Sequence, residues 1–402
     1  MAFLLKKESG YQMQKKEYRH LTIGLYLNYF VHGVGLIILA QNMQELGRLW
    51  GQPLANVSYV ISGIGIGRLL AYLILGNLAD KYDRKLFVYF GMFSYFVFFL
   101  GVLIVHNLTG VYLLAILAGI ANSALDSGTY PVFLEIGTNN GASNILIKSF
   151  MSLGEFFLPL VVSFLEIHNL WFGWSFVFAS IVLILNVFVL IPVKFPAKNN
   201  RVETKLNPFI SLSITRHLAL GVLLSLYGYV SMATMILYTQ WISLYAGKQL
   251  NFNNFQAHLL VSLYSIGSII GVLILFILLR RNITEIRLLM ALNIVSMISL
   301  IVVNFSSNRM LVYLVSFTFG FSAAGGVMQT GLNLFLKIYP KHKGKVTGIF
   351  FTFGSIASFS IPIITGILSK ISIEKVLKFE LILTLIGVLI SLGIKIISEK
   401  KV

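Results

Sequence analysis

Among the ionisable side chains inside long apolar stretches of this chain are His32, Arg68, Asp126, Lys148 and Glu155. A charge in hydrocarbon is costly, so such residues line a water-filled path or pair with one another. The chemistry open to them is the handling of ions and protons. A carboxylate withdrawn from water can exchange protons near neutral pH, which makes Asp126 and Glu155 candidate proton carriers. Arg68 can either bind an anionic solute or form a buried pair with Asp126. A lone His32 is more often a hydrogen-bonded helix contact than a proton carrier.

Polar residues recur around these charges at helical spacing. Asn122, Asp126 and then Thr129 or Tyr130 share one face, as do Asn28, His32 and Gly35. Tyr227, Ser231, Thr234, Tyr238 and Trp241 form a continuous stripe, and Gln329 and Asn333 lie four apart. Aromatic stripes also serve packing or interfacial belts. The chain has no cysteine, so disulfides, thiolate metal sites and thiol catalysis are excluded. It carries no phosphate-cradling Gly-x-x-x-x-Gly-Lys-Ser/Thr motif, no metal-ligand spacing and no nucleophile–base pair. An enzyme is not expected, nor is any cofactor; a proton gradient is the expected energy source.

The elements that must position these residues are apolar and long. Hydrophobic residues make up 57% of the 402, charged residues 11%, and mean hydropathy is +0.85. A soluble domain carries roughly 25% charged residues. About twenty apolar residues match a hydrocarbon core of about 30 Å. Twelve such stretches predict an all-α, multi-pass membrane protein. The first six are about Leu21–Met43, Asn56–Leu78, Leu86–Val105, Val111–Phe133, Ile145–Leu165 and Phe172–Val193. The second six are about Leu218–Ser243, Leu259–Leu279, Leu288–Val303, Leu311–Phe335, Val346–Leu368 and Val376–Ile397, the ninth being the shortest. The polar stretch 194–215 divides them, giving a first half at 1–193, a linker and a second half at 216–402.

Lys and Arg decide the orientation. One side holds the tail (Lys6, Lys7, Lys15, Lys16, Arg19), Lys81, Arg84 and Lys85, the linker, Arg280, Arg281 and Arg287, Lys337 to Lys345, and the C-terminal lysines, 23 in all. The other side has six: Arg48, Lys248, Arg309, Lys370, Lys375 and Lys378. Both termini are therefore expected in the cytoplasm and the protein in the plasma membrane. The net charge of +17 then reflects loops beside anionic lipid, with the bilayer rather than nucleic acid as partner. The charged N-terminal stretch is not read as a removable signal peptide.

A weak internal match supports duplication. Gly63 and Gly67 have counterparts in Gly267 and Gly271, and Leu125-Asp126-Ser127-Gly128 resembles Met328-Gln329-Thr330-Gly331. The glycine pairs read as packing residues that let helices approach closely.

The loop after the second span reads Gly76-Asn77-Leu78-Ala79-Asp80-Lys81-Tyr82-Asp83-Arg84-Lys85. It resembles the signature loop of the major facilitator superfamily; Gly76, Leu78, Asp80, Arg84 and Lys85 match, and Asp83 replaces the usual glycine. The resemblance implies two six-helix halves around a central cavity, lined by the first, fourth, seventh and tenth spans. It also implies that Gly76, Asp80, Arg84 and Lys85 form a conformational latch. The substrate and proton pathway is then expected at Asn28, His32, Arg68, Asn122, Asp126, Tyr130, Glu155, Tyr238, Gln329 and Asn333. The region Gly119 to Tyr130 loosely resembles the fucose/glucose–proton symporter branch. The arginine typical of the fourth span in proton-driven exporters is absent; its place falls near Ala115.

By depth, Asp126 and Arg68 sit about 13 Å and 12 Å from the same ends of their helices, and Glu155 about 20 Å. The expected function is secondary active transport of a small polar or anionic solute, such as a sugar or organic acid, by a monomeric, proton-coupled symporter. The alternative is an efflux carrier for amphipathic compounds, favoured by 32 phenylalanines. A membrane sensor or enzyme retaining the fold is more remote.

Overall fold

The computed structural model describes residues 18–79, 82–136, 140–196, 214–280, 284–339 and 343–399. In a bilayer every backbone polar group must be satisfied within the protein, and apolar segments meet this demand as helices. The N-terminal set is α1 (Arg19–Gln41), the short α2 (Met43–Trp50), α3 (Leu54–Ala79), α4 (Arg84–Ile104), α5 (Leu108–Glu135), α6 (Asn140–Ile167) and α7 (Trp174–Leu190). The C-terminal set is α8 (Ile214–Gln249), α9 (Asn254–Arg280), α10 (Glu285–Phe305), α11 (Arg309–Phe319), α12 (Val327–Ile338), α13 (Lys343–Ile371) and α14 (Ile373–Glu399).

Among the described residues, eleven helical segments are long and apolar enough to cross a membrane, and α7 is a shorter apolar helix of 17 residues. Their outward faces carry large apolar side chains such as Phe93, Leu113, Phe188, Ile298 and Leu389. The shortest of the expected spans is therefore the sixth, not the ninth: α10 runs for 21 residues. Thr284 is extended before α10, and the helix begins at Glu285, so it takes in Glu285 and Arg287, which hydropathy had excluded from it. Turn residues around Gly173 and the stop at Pro192 shorten α7.

The tenth span is broken. After α11 a π-helical turn covers Gly320–Ala324, and the chain re-enters helix at α12. Gly326 makes the re-entry with φ of 137°, a conformation side chains resist, and an added Cβ would meet Leu275 at 2.3 Å. The break resets the direction in which Gln329 and Asn333 project.

The glycine pairs play matching parts in the two sets. Gly63 and Gly67 press α3 against α5, and Gly267 and Gly271 press α9 against α11 and the π-helical turn. A Cβ on Gly67 would stand 2.0 Å from the Ile116 carbonyl oxygen, with backbone rather than a movable side chain in the way. Gly67→Ala is expected to part these helices and lower stability by about 1–3 kcal/mol. Thermal unfolding in detergent measures this, and an unchanged midpoint would refute the close-packing role.

The two sets meet along α3 with α13, α6 with α9, and α1 with α8. Their hydrogen bonds gather toward the face opposite the chain termini. Ser58 donates to the Pro362 carbonyl at 2.5 Å, and Gln240 Nε2 donates to Ser58 Oγ at 2.6 Å. Ser262 Oγ donates to the Phe156 carbonyl at 3.0 Å, and Gln41 Nε2 to the Thr239 carbonyl at 3.1 Å. The chain is thereby sealed on that far side.

Candidate functional site

Beneath the seal lies a cavity of about 550 Å³, walled by both sets of helices. Of the residues expected in the pathway, His32, Arg68, Asn122, Asp126, Tyr130, Glu155, Gln329 and Asn333 line it. Asp126 and its repeat counterpart Gln329 face the same space from α5 and α12.

Two expected residues lie elsewhere. Asn28 is wholly buried between helices, where its Oδ1 accepts from Asn186 Nδ2 at 2.8 Å and so joins α1 to α7. Tyr238 is wholly buried in the C-terminal set, its hydroxyl 2.5 Å from Ser316 Oγ and its ring against Tyr264 and Phe319. The whole stripe from Tyr227 to Trp241 is buried, and none of it lines the cavity. The opposite face of α8 does so, with Met232, Met235, Ile236, Thr239 and Gln240. Tyr227 shows why: its hydroxyl accepts from Asn293 Nδ2 at 2.8 Å, so a polar stripe glues helices together instead of lining a pathway.

The charged centre is organised by tyrosines. Tyr29 on α1 donates to Asp126 Oδ1 at 2.5 Å, and Tyr72 on α3 donates to Oδ2. Each carboxylate oxygen thus holds one phenol from a different helix. Arg68 sits one turn before Tyr72, its guanidinium carbon 5.9 Å from that ring's centre. Its side chain is buried, and among the described residues no carboxylate oxygen comes within 4.0 Å of it. The direct Arg68–Asp126 ion pair is therefore not formed; Tyr72 stands between the two charges. Lys148 and Glu155 line the same cavity from α6, also without a salt bridge at that distance.

Around this centre lie groups with unused hydrogen-bonding capacity. Asn122 is 1% exposed, and among the described residues neither its Oδ1 nor its Nδ2 has a partner. His32 stacks on Tyr29 with ring centres 5.3 Å apart, and its Nδ1 is buried without a partner among the described residues. Tyr130 meets the edge of Tyr29 at 5.9 Å. Met151 of α6, Met232 and Met235 of α8 and Met328 of α12 add apolar surface to the lining. The arrangement presents a cation, a phenol-bound carboxylate and an amide to a solute, with polarizable thioethers elsewhere in the lining.

Tyr29 and Tyr72 were not legible as site residues, although Tyr72 follows Arg68 at i+4 and Tyr29 precedes His32 at i+3. Glu380 on α14 is a further buried carboxylate, outside the cavity, with neither oxygen hydrogen-bonded among the described residues.

The latch is described in part. Asp80 and Lys81 lie outside the described residues, and Gly76 belongs to the last turn but one of α3. Arg84 is buried, and Lys85 Nζ reaches the Ile191 and Val193 carbonyls at 3.5 Å, tying α4 to the end of α7. Asp83, where the signature loop usually has glycine, caps α4 by accepting from the Lys85 backbone N–H at 3.0 Å.

Comparison with known proteins agrees with this architecture. The family model described as Major Facilitator Superfamily matches residues 25–362. The inner membrane transport protein YdiM of Escherichia coli (strain K12) is 40% identical over 391 residues, 96% of each chain. Among solved structures, the nucleoside transporter NupG matches with a TM-score of 0.72 at 15% identity, covering 94% of this chain and 98% of that one. A D-xylose-proton symporter matches with a TM-score of 0.75 at 12% identity, covering 94% and 97%. At such identities the two structures speak for the fold alone.

Proposed function

The chain belongs to the Major Facilitator Superfamily and is a multi-pass transporter of the plasma membrane, and from that premise we propose that it moves a small polar, anionic solute by proton-coupled alternating access. The observation that carries this reading is the buried Arg68 guanidinium beside Asp126. Among the described residues the cation has no carboxylate within 4.0 Å, while the carboxylate is already held by two phenols. An arginine left in this state offers its donors to an incoming anion. Asp126 and Glu155 are the candidate coupling carboxylates, and the proton gradient is the energy source.

In this reading the two sets of helices are rocking halves, α7 completes twelve crossings, and the monomer is the working unit. The sealed face is extracellular, so the conformation is inward-facing. The count of 23 basic residues against six supports that orientation. Asn200→Cys in this cysteine-free chain is expected to escape a membrane-impermeant thiol reagent in intact cells and to react after the membrane is opened. Labelling in intact cells would reverse the topology.

A second reading draws on the four methionines of the lining, which suit an apolar body and favour efflux of amphipathic anions. Proteoliposomes with an imposed pH gradient separate the two. Accumulation of labelled sugars or organic acids with the proton supports the first reading. Dye extrusion from cells without such accumulation supports the second.

A further inference from the structure

In the far-side seal one histidine is held from both sets of helices, and its partners fix where its hydrogens lie. Gln41, at the end of α1, donates through Nε2 to the Thr239 carbonyl of α8 at 3.1 Å. This contact orients the amide, because the reversed amide would set oxygen against oxygen. Gln41 Oε1 therefore faces Nδ1 of His258, on α9, at 2.8 Å, and Nδ1 must carry a hydrogen. The other ring nitrogen, Nε2, lies 3.4 Å from Glu166 Oε2 at the end of α6. That carboxylate oxygen is buried and accepts no hydrogen bond, from the ring or from any other described group. A neutral ring protonated at Nδ1 would turn a lone pair toward it. Only the imidazolium offers a hydrogen on both sides.

We propose that His258 is a proton-binding site of the far-side seal, and that the proton bound there holds the two sets of helices together above the cavity. Gln41 and Glu166 come from the N-terminal set, His258 and the Thr239 carbonyl from the C-terminal set. When the seal opens these four groups part, and with them goes the reason for the second ring hydrogen. Imidazole gains and loses its charge between about pH 5 and 8. Binding of the proton and the sealed form therefore favour one another.

The other charges near His258 are accounted for element by element. On α6, Glu166 faces the ring and Glu155 lies in the cavity, while His168 beyond the helix end stacks against Phe164 at 4.5 Å. On α8, Tyr245 and Lys248 follow Thr239 toward the helix end. Arg309 on α11 points to the Asn251 carbonyl at 3.4 Å and lies 5.7 Å from the Phe252 ring centre. On α9 itself Tyr264 turns into the cavity, and the π-helical turn Gly320–Ala324 carries no charge. Glu166 is the one carboxylate within 4.0 Å of the ring among the described residues.

The consequence for transport rests on the alternating-access reading; the proton site is read without any solute. Nitrogen-15 imidazole spectra of the purified full chain in nanodiscs identify His258 among the seven histidines by the signal lost in His258→Gln. Spin labels at Leu170→Cys and Asn251→Cys, both exposed loop positions on the far side and in different sets, report whether the seal is closed. We expect His258 to be doubly protonated at pH 6, and the sealed-to-open ratio to rise about tenfold from pH 8 to pH 5. His258→Gln and Glu166→Gln are each expected to flatten that dependence. A His258 that stays neutral at pH 6 in the sealed form overturns the proposal, and so does a closed fraction indifferent to pH. A pH dependence that survives intact in His258→Gln overturns it as well. Failure to find any transported solute would sink the preceding reading while leaving both of these readouts in place, so the two fail separately.

Discussion

Asp126→Asn is expected to abolish proton-driven accumulation while leaving solute exchange in place. Asp126 joins α1, α3 and α5 through its two phenol donors. An amide can keep this geometry: its oxygen accepts from one tyrosine, and its nitrogen donates to the other once that hydroxyl rotates. The ionisable group is then removed at nearly constant volume. In proteoliposomes with a gradient of one pH unit, the parent protein can concentrate a solute about tenfold for each proton carried with it, since one unit is worth 1.36 kcal/mol. The variant should reach only equal concentrations on the two sides. Exchange of labelled for unlabelled solute needs no net proton movement and should persist. The variant also exchanges charge-assisted hydrogen bonds for neutral ones, so some loss of thermal stability accompanies the effect. Undiminished accumulation would remove Asp126 from the coupling path and leave Glu155 as the remaining candidate.

Arg68→Gln has the second large expected effect, and on a different observable. If the guanidinium binds the anionic group of the solute, deleting it costs about 2–5 kcal/mol of affinity, or roughly 30-fold to several thousand-fold. The neutral amide of the same solute should lose far less. The geometry separates this role from a structural one. Breaking a buried ion pair destabilises a protein by about 3–5 kcal/mol, because one charge is left alone. Here Asp126 keeps both of its tyrosines when Arg68 is replaced, so the melting temperature should move little. Binding of anionic and neutral solutes, measured calorimetrically beside thermal unfolding, tests both parts. Equal affinity for the anion in parent and variant would end the substrate role of Arg68.

The departure at Asp83 illustrates how a local signal can carry more than the motif it interrupts. The signature pattern expects glycine, yet an aspartate in this position accepts from the backbone at the start of α4 and satisfies a group the helix leaves unpaired. The loop's basic pair thus begins a well-capped helix. Lys85 then ties that helix to the end of α7, a contact between segments more than a hundred residues apart that no local pattern announces.

The amino-acid sequence by itself determined the membrane environment, the order of apolar stretches and the alternation of basic loops. These follow from length, hydropathy and charge, which are properties of each segment taken alone. The tertiary structure decided which face of each helix looks inward. In water an amphipathic stripe marks the buried face. In a bilayer, lipid and protein interior are both apolar, so a stripe records packing as readily as a cavity. The Tyr227–Trp241 face of α8 is packing, and the methionines behind it form the wall. Only folding brings Tyr29 and Tyr72 onto Asp126, or Gln41 and Glu166 onto His258. Each of these contacts joins residues from separate helices, and its existence depends on a close approach that the glycines permit but the spacing along one helix does not encode.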